Sequence, residues 1–527
     1  MRNFQESGKS TVYSNRGMVA TSHPIASSIG LDILKRGGNA VDAAIAMAFS
    51  LPICEPQSTG LFGDVFAMVK PSNSNSIIGL NGSGKAPAKV SAVNLRNKNF
   101  SVLPEDAIET ITLPGAVAAL ESLNIKFGTM GLDELVQPAI NYARNGIVVS
   151  PRVAFDWQYS YKTLKGKAKD YYLTNGKPLQ VGDIFKSPGQ AEVLQRIGKE
   201  GSKGFYHGEI AKDFIDSLSK IGGLHSQEDF EKVSVDYIDP LKASFGSYDL
   251  YEMPPNGQGI TAILMLKMLQ KIGISNLDPW SSERVHIEAE VAKIAYYIRN
   301  NCIGDPNFYD LNIDPFYSDS KIDEYVSWIE QNVAKNFEKE LDFTPHKDTV
   351  LLTAVDENRL MVSLIFSIFN SFGSGYCSDK YGILFHNRGA GFCLKEGHPN
   401  EISGGKRPLH TILPGFLIRG NDFIMPFGVM GGQYQANGHA RLISNIKDYG
   451  MDIQEAIDFP RSFPEKNSLK LEYGYSDQVA KDLIQKGHEI VRPDQPIGGA
   501  QAIIHDLKNN VLIGGSDSRK DGCALGY

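Results

Sequence analysis

A threonine hydroxyl attacks a carbonyl only when a base takes its proton. The run Asp348-Thr349-Val350-Leu351-Leu352-Thr353-Ala354-Val355-Asp356 suggests how one is supplied. It reads as a strand that starts abruptly at Thr349, is rich in β-branched and aliphatic residues, and ends at the polar turn Asp356-Glu357-Asn358-Arg359. Cutting the chain before Thr349 would free an α-amine with a reference pKa of about 7.7 to 8.0, able to accept the hydroxyl proton near neutrality. A second group that could act on a carbonyl is the pair Gly431-Gly432, where adjacent backbone N–H groups can meet a developing oxyanion. Taken singly, each has a plainer reading: Thr349 as an ordinary strand residue, the glycine pair as a turn.

The elements that would position these groups follow from periodicity. Leu360 to Phe369 is too short and too apolar for a membrane span, so with Val350 to Val355 it predicts a buried hairpin with Thr349 at its open end. Upstream, Gly17 to Thr21 predicts a short strand. A helix should then run from Pro24 through Leu34 to a stop at Gly37-Gly38, with His23 at its entrance as a structural cap or, alternatively, a ligand or base, and an alanine-rich helix from Ala40 to Leu51, capped by Asn39 and ending before Pro52. Gly79-Leu80-Asn81-Gly82-Ser83-Gly84-Lys85-Ala86 mimics a phosphate-binding loop but puts Ala86 where the magnesium-binding hydroxyl belongs, so a turn lining a pocket is expected. Residues 105 to 240 are helical in pattern, Tyr248 to Met253 is a strand, and Ile260 to Ile272 is a helix. Glu288 and Glu290 are spaced i,i+2 and predict a solvated helix face. Residues 335 to 348 turn charged and aperiodic, as a connector would. Strands at Phe416 to Ile418 and Phe423 to Phe427 precede the glycine pair, and a helix from about Asn437 follows it.

Composition narrows the classes. Apolar residues at 42% and charged residues at 21% describe an ordinary globular chain. With 53 basic against 60 acidic residues, the net charge of -7 offers no footprint for nucleic acid or an anionic membrane. Five scattered cysteines without a Cys-x-x-Cys pair fit reduced thiols, and the amino terminus lacks an apolar signal segment, so a soluble cytoplasmic protein is expected. Eleven histidines show neither His-x-x-x-His nor His-Glu-x-x-His spacing, so neither a metal nor a cofactor is expected.

Together the motifs resemble the gamma-glutamyltransferase family of amino-terminal-nucleophile hydrolases along almost the whole chain. The resemblance rests on Gly17-Met18-Val19-Ala20-Thr21-Ser22-His23-Pro24, Gly37-Gly38-Asn39-Ala40-Val41-Asp42-Ala43-Ala44, Met253-Pro254-Pro255, Gly304-Asp305-Pro306, Asp348-Thr349, Phe372-Gly373-Ser374-Gly375, Lys406-Arg407-Pro408 and Gly431-Gly432, in that order. It implies an α+β fold, a four-layer αββα sandwich, and a precursor that cuts itself between Asp348 and Thr349. The products would be a large chain, 1–348, and a small chain, 349–527, that stay together as one intertwined domain. It further implies Thr349 as nucleophile, Ser367 as the hydroxyl that orients it, and Gly431 and Gly432 as oxyanion donors.

Substrate recognition departs from the family pattern. Ser83, with Lys85 nearby, stands where the family has its carboxylate-binding arginine, Gly391 where it has the acid that holds the substrate ammonium, and Arg388 where it has a glutamine. His410-Thr411 replaces a serine pair, and Phe369 replaces an asparagine, with Asn370 beside it. An ammonium without its counter-charge costs several kcal/mol in a partly closed pocket, about that of a desolvated ion. The expected substrate-binding set is therefore Lys85, Asn370, Arg388, His410 and Thr411. The expected activity is that of an autoprocessing threonine amidohydrolase or acyltransferase on a gamma-glutamyl or similar acyl amide, with hydrolysis favoured over transfer. The alternatives are an acylase or poly-gamma-glutamate-type hydrolase and, in another class, an uncut protein that binds an amino-acid derivative. A homo-oligomer is left open.

Overall fold

The computed structural model describes residues 8–335 and 349–527. Asp348 and, apart from Lys335, the whole connector lie outside the described residues. Two seven-stranded antiparallel sheets lie face to face between helices. In the first, the order is Cys523–Gly526, Met18–Thr21, Val350–Val355, Met361–Ser367, Asp64–Lys70, Ile78–Gly82, Asp236–Ile238. In the second it is Val12–Ser14, Val511–Ser516, Gly499–Asp506, Phe423–Met430, Pro414–Arg419, Tyr248–Glu252, Leu241–Phe245.

Three apolar layers hold this stack together. One joins the first sheet to the helices around Ala40–Cys54, one joins the second sheet to Gly259–Ile272, Ser282–Cys302 and Tyr434–Lys447, and the third lies between the sheets. Strands covered on both faces need no polar alternation, which is why the hairpin reads as an unbroken apolar run. The four-layer αββα sandwich is therefore as expected.

Local expectations fare unevenly. His23 caps Pro24–Lys35 by accepting the Ile25 N–H at 3.3 Å, and Asn39 forms a capping box with Asp42. The alanine-rich helix does not stop before Pro52 but runs to Cys54. It is buried along its whole length, and packing outweighs the one hydrogen bond that proline removes. Glu288 and Glu290 are not on a solvated face. Both are buried, Glu288 between Arg284 and Arg441, and Glu290 against Lys293. Each carboxylate has a cation partner, which is what lets a charged helix face go inward.

Candidate active site

Strand alternation decides where the threonine points. Val350, Leu352 and Ala354 pack among the helices, while Leu351 and Val355 face the second sheet. Thr349 shares the parity of Leu351, and Ser367 that of Ile365, so both side chains belong to the gap between the sheets. Val350 pairs with Phe366, which sets Thr349 opposite Ser367. Both are fully buried, and Thr349 Oγ1 donates to Ser367 Oγ at 3.3 Å.

The glycine pair approaches from the other sheet. Ser363, opposite Thr353, donates its Oγ to the Phe427 carbonyl at 2.8 Å, and a Cβ on Gly428 would lie 2.8 Å from Leu351 Cδ1. One step along Phe423–Met430 thus follows the hairpin from the level of Thr353 to that of Leu351. Gly431 and Gly432 follow directly on the end of this strand at Met430. Their φ angles, +120° and +59°, lie in the left-handed region, and a Cβ on Gly431 would come within 2.6 Å of Gly498 Cα. Among the described residues neither N–H is spent on a hydrogen bond. The strand runs on to Met430, three residues beyond the expected Phe427.

The next residue, Gln433, is held from behind by groups that no sequence motif marks. Tyr296 donates its hydroxyl to the Gln433 carbonyl. Arg299 Nη1 donates to Gln433 Oε1 at 2.7 Å and to Gln258 Oε1 at 2.6 Å. Burial lowers the Arg299 guanidinium to about 10.

Arg388 meets the Thr349–Ser367 pair at the serine. Its Nη2 donates to Ser367 Oγ at 3.2 Å and its Nη1 to Thr411 Oγ1 at 3.0 Å, and it covers the Phe369 ring at 4.4 Å. Asp64 supplies the counter-charge, with Oδ2 3.8 Å from Arg388 Nε. Asp64 Oδ2 also accepts from His410 Nε2 at 3.0 Å, and Oδ1 accepts the Gly84 and Gly115 N–H groups at 2.9 and 3.3 Å. Arg388, Asp64 and His410 are all fully buried. Burial, with Arg388 adding to it, lowers His410 to about 3, so it is a neutral donor to Asp64. Sequence reasoning missed Asp64 because His410 lies 346 positions away from it.

The expected substrate set does not all converge. Arg388 bridges Thr411 and Ser367, while His410 turns to Asp64. Asn370 Nδ2 is spent on Glu105 Oε2 at 2.7 Å. Lys85 is half-buried and lines neither cavity beside the glycine turn. Ser83 belongs to the scaffold, accepting Arg407 Nε at its carbonyl and Asn256 Nδ2 at its hydroxyl.

Two cavities flank the turn. One, of about 490 Å³, is walled by Phe369, Gly391, Leu409, Thr411, Arg299 and Gln433 among others, with no carboxylate in its lining among the described residues. A Cβ on Gly391 would stand 2.6 Å from the Leu409 carbonyl oxygen, so the backbone leaves no room for an acid there. The other, of about 210 Å³, opens on Gly431 and is walled by charged residues including Arg152, Asp156 and Lys520. Such an arrangement can seat an acyl group on one side of a carbonyl and a leaving amine on the other.

A profile of the gamma-glutamyltranspeptidase family matches residues 26–527, and the chain belongs to that family. It is an enzyme of the gamma-glutamyltransferase class, a hydrolase or acyltransferase of the amino-terminal-nucleophile type. The chain is similar to the glutathione hydrolase-like YwrD proenzyme of Bacillus subtilis (strain 168), at 29% identity over 98% of this chain and 99% of that protein. It is also similar to the acylase ACY 1 proenzyme of Pseudomonas sp. (strain SE83), at 28% identity over 96% of this chain and 93% of that one. Among solved structures, cephalosporin acylase from Bacillus halodurans superposes with a TM-score of 0.89 at 32% identity, covering 100% of this chain and 98% of that chain.

Proposed function

We propose that Thr349 is the nucleophile, freed by cleavage after Asp348, and that the enzyme hydrolyses an acyl amide whose acyl group carries no α-ammonium. The observation that carries the reading is the buried pair of Thr349 Oγ1 and Ser367 Oγ at the head of a central strand, joined through Arg388 to Thr411 in the wall of a cavity that, among the described residues, has no carboxylate in its lining. The α-amine of Thr349 takes the hydroxyl proton as Oγ1 adds to the carbonyl, and the N–H groups of Gly431 and Gly432 receive the oxyanion. Ser367 Oγ accepts from Thr349 Oγ1 at 3.3 Å, from Phe369 N at 2.9 Å and from Arg388, which fixes the threonine hydroxyl in place for that transfer. The amine, now protonated, passes its proton to the leaving nitrogen, and water later resolves the acyl-enzyme.

Arg388 and Arg299 near the cavity favour an acyl chain that is neutral or ends in a carboxylate, and they repel an ammonium. Residues 1–348 and 349–527 would form the two mature chains. All five cysteines are free thiols, which supports a reducing, cytoplasmic setting.

The test pairs a denaturing gel and intact mass with a comparison of two p-nitroanilides, gamma-glutamyl and its des-amino counterpart. Fragments meeting between Asp348 and Thr349, absent in Thr349→Ala, together with a higher kcat/KM on the des-amino amide, are expected. An uncut, inactive wild type would overturn the nucleophile. Faster turnover of the gamma-glutamyl amide would overturn the substrate class alone.

A further inference from the structure

His286, Glu290 and His488 converge away from the threonine. His286 and Glu290 lie one turn apart on the buried helix Ser282–Cys302, and His488 immediately precedes the edge strand Glu489–Val491. All three are buried, and one ligand atom from each lies within 4.8 Å of the other two. We infer that these residues form a divalent transition-metal site of the zinc type, with the two imidazoles and the carboxylate as ligands and the remaining position open to water.

The donor set fits such an ion: two imidazole nitrogens and a carboxylate oxygen, with a fourth ligand from solvent, is a recurring zinc arrangement. His286 Nε2 faces the Glu330 carbonyl at 2.7 Å. A carbonyl accepts only, so the proton sits on Nε2 and leaves the Nδ1 lone pair toward His488. A ring N–H held by a backbone carbonyl is also how metal-bound histidines are oriented. His286 Nδ1 and His488 Nε2 stand 2.8 Å apart, joined by a hydrogen bond in which His488 Nε2 is the donor, so an ion that takes Nε2 requires the His488 proton to move to Nδ1 of the same ring. Two nitrogens on a tetrahedral ion with bonds of about 2.0–2.1 Å are about 3.3 Å apart, so a rotation of the His488 ring of a few tenths of an ångström admits the ion. Burial keeps both rings neutral, holding His488 at about 3, and neutral imidazole is the form that ligates.

The competitor is Lys293. Its Nζ donates to Glu290 Oε1 at 2.6 Å and to the Lys335 carbonyl at 2.9 Å, while Glu290 Oε2 accepts the Lys335 N–H at 3.1 Å. A carboxylate offers about four lone-pair directions, so Glu290 can take the ion and keep Lys335, with Lys293 retaining the carbonyl. Lys486, bonded to Gln331 and Asn332, adds a second nearby cation. Both weaken the site without closing it. The site is legible only in three dimensions, because His-x-x-x-Glu on one helix is completed by a histidine 202 positions from His286.

The test is a Zn²⁺ titration of the chelator-stripped full chain against a chromogenic competitor, with Co²⁺ as a spectroscopic probe. One equivalent per chain is expected, with Co²⁺ giving the intense visible bands of a four-coordinate site. His488→Gln and Glu290→Gln should each weaken binding by more than about tenfold without shifting the circular dichroism. Should a variant fail to fold, the wild-type Co²⁺ spectrum decides. No bound equivalent, binding unchanged in a folded variant, or a thiolate charge-transfer band pointing to cysteine would overturn the assignment.

Discussion

Arg388 donates to the oxygen of Ser367 at 3.2 Å, and Thr349 Oγ1 donates to the same oxygen at 3.3 Å, so a buried guanidinium and the threonine hydroxyl share one acceptor. A fixed positive charge there disfavours protonation of any amine at Thr349 and so helps keep the proposed base neutral. The acid limb of the kcat/KM profile should therefore move to higher pH in Arg388→Gln. A limb that stays put would mean that Asp64 cancels the charge as felt at the amine.

Ser367→Ala removes the hydroxyl without a large change in volume. Turnover should fall by about 10²-fold, the low end for a group that manages a proton in the transition state, with KM nearly unchanged and processing slowed. A proportional rise in KM would instead assign Ser367 to ground-state binding.

Arg299 touches Gln433, not the reacting atoms, so it is a positioning residue for the glycine turn. In Arg299→Met, kcat should drop while KM for a small amide holds, within the roughly 10²- to 10³-fold range of a lost oxyanion donor. Equal loss with Arg299→Lys would point to shape, and recovery with lysine to charge.

Asp64 carries the counter-charge of a fully buried cation. Asp64→Asn should cost about 3–5 kcal/mol in denaturant unfolding, the usual range for stranding one partner, and Asp64→Asn with Arg388→Met should regain part of that loss. Additive losses in the double variant would show that the two groups do not depend on each other.

Acid should unfold this protein early. Burial lowers His23 and His225 to about 4, and His386, His410 and His488 to about 3, whereas an unfolded histidine titrates near 6.5. Between those values the unfolded chain binds the protons, so stability is full above pH 6.5 and falls as pH drops, by about 1.4 kcal/mol per unit for each histidine. Glu55, pushed up to about 7 by burial, works the other way, because its proton is held in the fold and lost as pH rises from 4.5 to 7. Melting temperatures should decline steeply from pH 6.5 to pH 4. A flat profile would mean that these rings are solvated.

What the chain discloses in one dimension divides along physical lines. The hairpin from Thr349 to Ser367 was readable because strand propensity and burial on both faces act on neighbours, and the glycine turn because positive φ demands glycine. Asp64 and Arg299 were not, since their partners lie in distant segments and no spacing rule links them. Glu288 and Glu290 misled for a related reason: helix periodicity says which way a carboxylate points but not whether a cation waits there. Asn370 and Lys85 show that a residue beside a matched position does not stand in for it, because a shift of one or two places turns the side chain to other partners.

Strand Val350–Val355 lies between Met18–Thr21, from before the proposed cut, and Met361–Ser367, from after it. Translation begins chains at loose ends, and an amine made that way would have to be threaded into the middle of a finished sheet. If the sheet is built first and the amine exposed afterwards, a chain terminus arises where none could have been inserted. The two pieces would never meet as strangers, and pulling them apart would be the same act as unfolding.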